Sequence, residues 1–125
     1  MTTARDGRGN LGAGIGFGYG DRVFLTDSEH ETYLRRMPVR YARRGLAGIP
    51  EVCHVCGEPA VDGNPLQAAH RVPFNAGVRR WRLTPTWLDR PGNLRWAHRQ
   101  RCNRLVELSE KDIEELVELL RRKSP

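Results

Sequence analysis

Lysine is nearly missing from this chain of 125 residues: Lys111 and Lys123 are the only two, although Lys and Arg together number 21 against 15 Asp and Glu, a formal net charge of +6. The positive charge is therefore carried by guanidinium groups. A guanidinium presents a rigid planar fork that meets phosphate oxygens two at a time, which an ammonium does not. The balance favours a phosphate-bearing partner, with a solvated basic face as the plain alternative. Cysteine is scarce as well, with three in all. Three thiols cannot all pair, which excludes a disulfide framework as the source of stability and fits a reducing compartment. No apolar run nears the roughly 20 residues of a membrane-spanning helix, and no secretory leader opens the sequence. The expectation is a cytoplasmic protein without a membrane partner.

The opening is rich in glycine from Gly7 onward, yet no strand pattern precedes it and no Lys-Ser or Lys-Thr follows. That excludes a phosphate-cradling loop. Residues 1–25 are expected to form a flexible arm, in which Arg5 and Arg8 with Leu11, Ile15, Phe17 and Tyr19 suit contact along a nucleic-acid strand. Residues 26–50 read as a basic helical lead-in. A capping box is available at Thr26 and Glu29, or at Ser28 and Glu31, with acids ahead of bases through Met37. Pro38 interrupts that helix, and Val39 to Arg44 add a further turn or two before Gly45. Residues 51–125 hold the core and a final helix, all within one small domain that a single hydrophobic centre stabilises poorly.

A metal staple supplies what burial does not. Cys53 and Cys56, two residues apart, bring both sulfurs to the roughly 2.3 Å that zinc–thiolate bonding needs. His98 and Cys102 form the second pair, and His54 inside the first knuckle is the other candidate for the fourth ligand. Between the pairs, Asp62-Gly63-Asn64-Pro65 is turn chemistry and Leu66 to Val72 reads as a strand with His70 near its end. Asn75 to Gly92 reads as a long loop in which Arg79, Arg80, Arg82 and Arg90 interleave with Trp81 and Trp87. Two uses for those tryptophans stand open, a small core or a surface that stacks bases. Asn93 to Ala97 is the return strand that delivers His98, and Asn103 to Leu108 reads as helical. After Ser109, an N-cap, Ile113, Leu116, Val117 and Leu120 recur at helical spacing, as a stripe for the core or for a homodimer. Arg71, Arg79, Arg80, Arg82, Arg99, Arg101 and Arg104 are the candidate nucleic-acid contacts.

The ordered set Cys53-x-x-Cys56, Ala69-His70-x-x-Pro73, Asn93-Leu94 and His98-x-x-x-Cys102-Asn103 resembles the HNH endonuclease family over roughly residues 51 to 108. The resemblance implies an α+β fold, a zinc-stapled ββα-metal core with flanking N- and C-terminal helices. It implies a structural zinc on Cys53, Cys56, His98 and Cys102, and a separate catalytic Mg²⁺ or Mn²⁺ at His70 and Asn103. In that scheme His70 is the general base that takes a proton from the attacking water. Asn103 ligates the divalent ion, and Asn93 bridges backbone to hold the histidine's segment. The implied activity is hydrolysis of phosphodiester bonds in DNA, duplex rather than single-stranded. A non-catalytic zinc-containing module that binds nucleic acid is the alternative.

Two positions depart from the family pattern. Ala69 stands where an aspartate often helps hold the ion, leaving Asp62 or Asp89 to supply the missing oxygen. His98 replaces the usual first cysteine of the second pair, with one extra residue before Cys102.

Overall fold

The computed structural model of the protein describes residues 20–36 and 45–123. Residues 1–19 of the expected arm, and the Val39 to Arg44 segment with its arginines, lie outside them. The last residues assigned to the arm are packed rather than free. Phe24 bridges Leu83, the Leu25 N–H donates to the Arg82 carbonyl at 2.7 Å, and Leu25 is buried in the main core.

Among the described residues, four α-helices accompany a two-stranded sheet. Helix α1 spans Asp27–Arg36, and of the two possible capping boxes the first is the one formed. The Thr26 N–H donates to Glu29 Oε1 at 3.0 Å, and the Glu29 N–H donates back to Thr26 Oγ1 at 3.3 Å. Two orphan donors of the first turn are thereby satisfied, and Tyr33 turns inward.

Strands β1, Leu66–His70, and β2, Leu94–His98, pair antiparallel with Leu66 opposite His98 and His70 opposite Leu94. The register puts His98 and His70 at opposite ends of the sheet. Strand β1 stops two residues short of the expected Val72, because the Val72 N–H is taken by the Asn93 side chain at 2.9 Å.

The stretch expected as a long loop is largely helical. Helix α2 is Phe74–Arg79 and helix α3 is Pro85–Leu88. Phe74, Val78 and Trp81 recur at helical spacing and are buried. Thr84 caps α3, its Oγ1 accepting the Trp87 N–H at 3.2 Å, with Pro85 pre-set at the first helical position. The helices touch so closely that a Cβ on Gly77 would lie 2.6 Å from Leu88 Cδ2. Trp81 and Trp87 are core residues, and Arg80 and Arg90 lie over their rings at 4.7 and 5.2 Å.

A 3₁₀ turn over Pro91–Asn93 leads into β2, and another over Asn103–Val106 follows the second ligand pair. This second turn replaces the helix expected to run to Leu108. Glu107 adopts extended backbone (φ −72, ψ 138), and the Leu108 N–H donates to the Arg71 carbonyl at 2.8 Å. The strand, strand, helix order is thus strand, strand and 3₁₀ turn. Helix α4, Glu110–Lys123, comes after it, with the Ser109 hydroxyl accepting the Asp112 N–H.

The main core gathers Leu25, Tyr33, Val72, Phe74, Val78, Leu83 and Leu88 with Ile113 and Val117. Leu116 and Leu120 pack against it, so the apolar stripe of α4 contributes to the core. A smaller cluster of Cys53, Ala69, Ala97 and Val106 lies where the two ligand pairs meet. Among the described residues no helix is long and apolar enough to cross a membrane.

Candidate metal centre and the adjoining cleft

Cys53, Cys56, His98 and Cys102 converge, their ligand atoms all within 4.8 Å of one another. The first pair sits on a tight turn. Gly57 has φ +79, where a side chain would be strained, and its N–H donates to the Cys53 carbonyl at 2.8 Å. The Val55 N–H points at Cys53 Sγ, 3.4 Å away, and the His54 N–H donates to the Trp96 carbonyl at 2.7 Å, tying the turn to β2. The side chain of His54 is outside the group, so His98 is the fourth member. It arrives at the end of β2, and the turn to Cys102 passes through Arg101 at φ 76.

His98 is set for ligation by its outer hydrogen bond. Nε2 donates to the Pro59 carbonyl at 2.8 Å, while Nδ1 lies 3.4 Å from Cys56 Sγ. That outer bond fixes the tautomer that leaves Nδ1 with its lone pair inward. The Pro59 carbonyl also holds the His98 ring above its ordinary pKa, against the opposing effect of burial.

Left to themselves the thiols ionise unequally. Burial opposes ionisation of Cys53, but hydrogen bonds from the backbone of Cys56, His98 and Val55 outweigh it and draw the thiol down to about 6. Burial and the neighbouring Cys53 sulfur push Cys102 up to about 11. A divalent cation held by the group would let Cys53 and Cys102 ionise together. Three thiolates and an imidazole at this spacing fit a metal such as zinc.

Beside this centre lies an open cleft of ≈ 320 Å³ between β1 and the Asn103–Val106 turn. Its walls bring together His70, Asn103 and Glu107, with Pro73, Phe74 and Asn75 at one side. Glu107 is the residue that sequence reasoning missed. The sequence carries no local signal for it, because its place on the cleft follows from the extended backbone it adopts after the 3₁₀ turn. Neither acid expected to stand in for Ala69 lines the cleft. Asp62 belongs to the turn closed by the Val61–Asn64 bridge. Asp89 instead bonds His70, its Oδ1 2.7 Å from Nε2. Ala69 itself is buried against Cys53, Ala97 and Val106.

Asn93 does not reach the cleft. It is buried, and its amide stitches two segments: Nδ2 donates to the Leu88 carbonyl at 2.9 Å and to the Val72 carbonyl at 3.3 Å, while Oδ1 accepts the Val72 N–H at 2.9 Å. Asn93→Ala would strand three buried backbone groups. The expected loss is about 2–4 kcal/mol, read as a lower midpoint in urea at unchanged slope.

No family model, curated protein or solved structure matches this chain. What the site can do is therefore argued from its own chemistry.

The candidate arginine contacts divide into two groups. Arg80 pairs with Glu110 and Glu114, and Arg82 with Asp27, so these two forks are turned onto the protein's own carboxylates. Arg71, Arg79, Arg99, Arg101 and Arg104 form no ion pair among the described residues, and all but the half-buried Arg71 are exposed. Arg99, Arg101 and Arg104 flank the second ligand pair, close in sequence to Asn103.

Proposed function

We propose that the protein is a metal-dependent endonuclease of the HNH type that hydrolyses phosphodiester bonds in DNA, framed by a structural zinc on Cys53, Cys56, His98 and Cys102. The observation that carries this reading is the meeting of His70, Asn103 and Glu107 in one open cleft. An imidazole, an amide oxygen and a carboxylate are the parts that hydrolysis of a phosphodiester asks for: a base for water and hard oxygen donors for a cation.

Asn103 and Glu107 would hold the divalent ion, so Glu107 takes over the part left open at Ala69. When bound, magnesium or manganese supplies positive charge to the scissile phosphate and the departing oxygen. The His70 ring accepts a proton from water as that water attacks phosphorus. Arg99, Arg101 and Arg104 hold the flanking phosphates as charged forks, without reading sequence. The buried Ala69 keeps the strand end packed on the zinc frame.

The test is cleavage of duplex DNA by the purified protein with Mg²⁺ or Mn²⁺, compared with the same protein when only the added divalent ion is omitted. Glu107→Gln is expected to raise the Mg²⁺ concentration for half-maximal cutting by roughly tenfold to a hundredfold. Salt-sensitive retention of DNA with no cutting under any divalent ion would replace this reading by the non-catalytic nucleic-acid module.

A further inference from the structure

We infer that Asp89 is a positioning residue for His70: it fixes the imidazole in the tautomer protonated on Nε2, so that Nδ1 is the nitrogen turned to the cleft and the atom that receives the proton. The catalytic half of this assignment rests on the nuclease reading; the tautomer does not.

The geometry is specific. Asp89 Oδ1 lies 2.7 Å from His70 Nε2, and the two side chains are only 15% and 9% exposed. An ionised carboxylate only accepts hydrogen bonds, so the ring must carry its proton on Nε2 to meet it. The neutral ring is then left with its lone pair on Nδ1. His70 lines the cleft, and with Nε2 engaged by Asp89 the ring nitrogen left for a partner in the cleft is Nδ1. Phe74 confines the ring further, edge-on with centroids 5.5 Å apart.

The carboxylate is itself held from two sides. Asp89 closes α3, its N–H bonded to the Pro85 carbonyl at 2.9 Å. Asn93 grips the carbonyl of the preceding Leu88 and both backbone groups of Val72, two residues beyond His70. Residues 19 apart in sequence are in this way clamped at hydrogen-bond distance. A base held in one orientation loses less entropy on reaching the transition state than a free ring, which gives the clamp a purpose beyond packing.

The experiment uses the full chain with its zinc, uniformly labelled with ¹⁵N, and long-range ¹H–¹⁵N correlation of the His70 ring at pH about 8.5, above the ordinary imidazole range. In the wild type the expected pattern is Nε2 protonated and Nδ1 bare. In Asp89→Asn an amide N–H can donate to Nε2, and the preference is expected to weaken or reverse. The same variant should cut with kcat lower by roughly 10²-fold while KM stays within about twofold.

A wild-type ring protonated on Nδ1 overturns the inference, as does an Asp89→Asn protein with unchanged tautomer and unchanged cutting. If the variant does not fold, the wild-type spectrum alone decides. If the wild type shows the expected tautomer and the variant shifts it, yet neither protein cuts DNA, the positioning role stands and the nuclease reading falls.

Discussion

Denying a metal to the Cys53, Cys56, His98 and Cys102 cluster, by a strong chelator or through Cys53→Ser, is expected to unfold the sheet and erase the cleft with it. Two strands of five residues each are marginal without support. The apolar cluster where the two candidate ligand pairs meet is small, with Cys53, Ala69, Ala97 and Val106 at its centre, and one of those four belongs to the candidate ligand set. Apparent zinc binding of about 10–16 kcal/mol at neutral pH is as large as the whole stability of a typical domain, about 5–15 kcal/mol. Sheet and turns from 53 to 70 and from 94 to 106 should therefore lose their amide protection. The helical core of α1, α2, α3 and α4 has its own apolar contacts, among them Leu25, Tyr33, Val78, Leu83 and Val117, and should retain part of its far-UV signal. Elemental analysis is expected to find one zinc per chain, and chelation to lower the melting temperature by more than roughly 20 °C. A metal-free preparation with the same melt would remove the staple from the account.

The difference between what the sequence disclosed and what it hid follows from the range of the interactions concerned. The metal group was legible because tetrahedral ligation demands particular residue types at short spacings, and three cysteines leave few ways to meet it. The capping residues Thr26 and Ser109 were legible for the same reason, since an N-cap acts within three residues. Helices α2 and α3 were missed although their signals are local. Phe74, Val78 and Trp81 have helical spacing, and Thr84-Pro85 opens a helix, but both helices are short and the interleaved arginines blur the apolar period.

Contacts across the fold were hidden more deeply. That Asp89 meets His70 depends on where α3 ends relative to the end of β1, a distance that no spacing encodes. Arg80 and Arg82 were counted with the phosphate contacts because their acidic partners, Glu110, Glu114 and Asp27, lie far along the chain. Glu107 entered the cleft only because the chain leaves its 3₁₀ turn there and becomes extended. In each case the partner is brought in by packing, and packing is a property of the whole core.

His70→Ala is expected to lower kcat for DNA cutting by about 10²–10⁴-fold while leaving zinc content and fold in place. The fold should survive because His70 is the last residue of β1: the backbone pairing with Leu94 remains, and the ring's own contacts are the edge of Phe74 and the Asp89 carboxylate. Asp89 would lose a partner at a position that water still reaches, a cost of about 1–3 kcal/mol, well below that of losing the ion. Single-turnover cutting of supercoiled plasmid at saturating Mg²⁺ separates this variant from Glu107→Gln. The glutamine variant should recover rate as Mg²⁺ is raised, because its defect is in holding the ion, whereas the alanine variant should not. Added imidazole should restore part of the lost rate to His70→Ala alone, since it returns a neutral base to the space the ring occupied. Equal cutting by wild type and alanine variant, with zinc bound in both, would take proton transfer away from His70 and leave its bond to Asp89 as a strut at the end of the sheet.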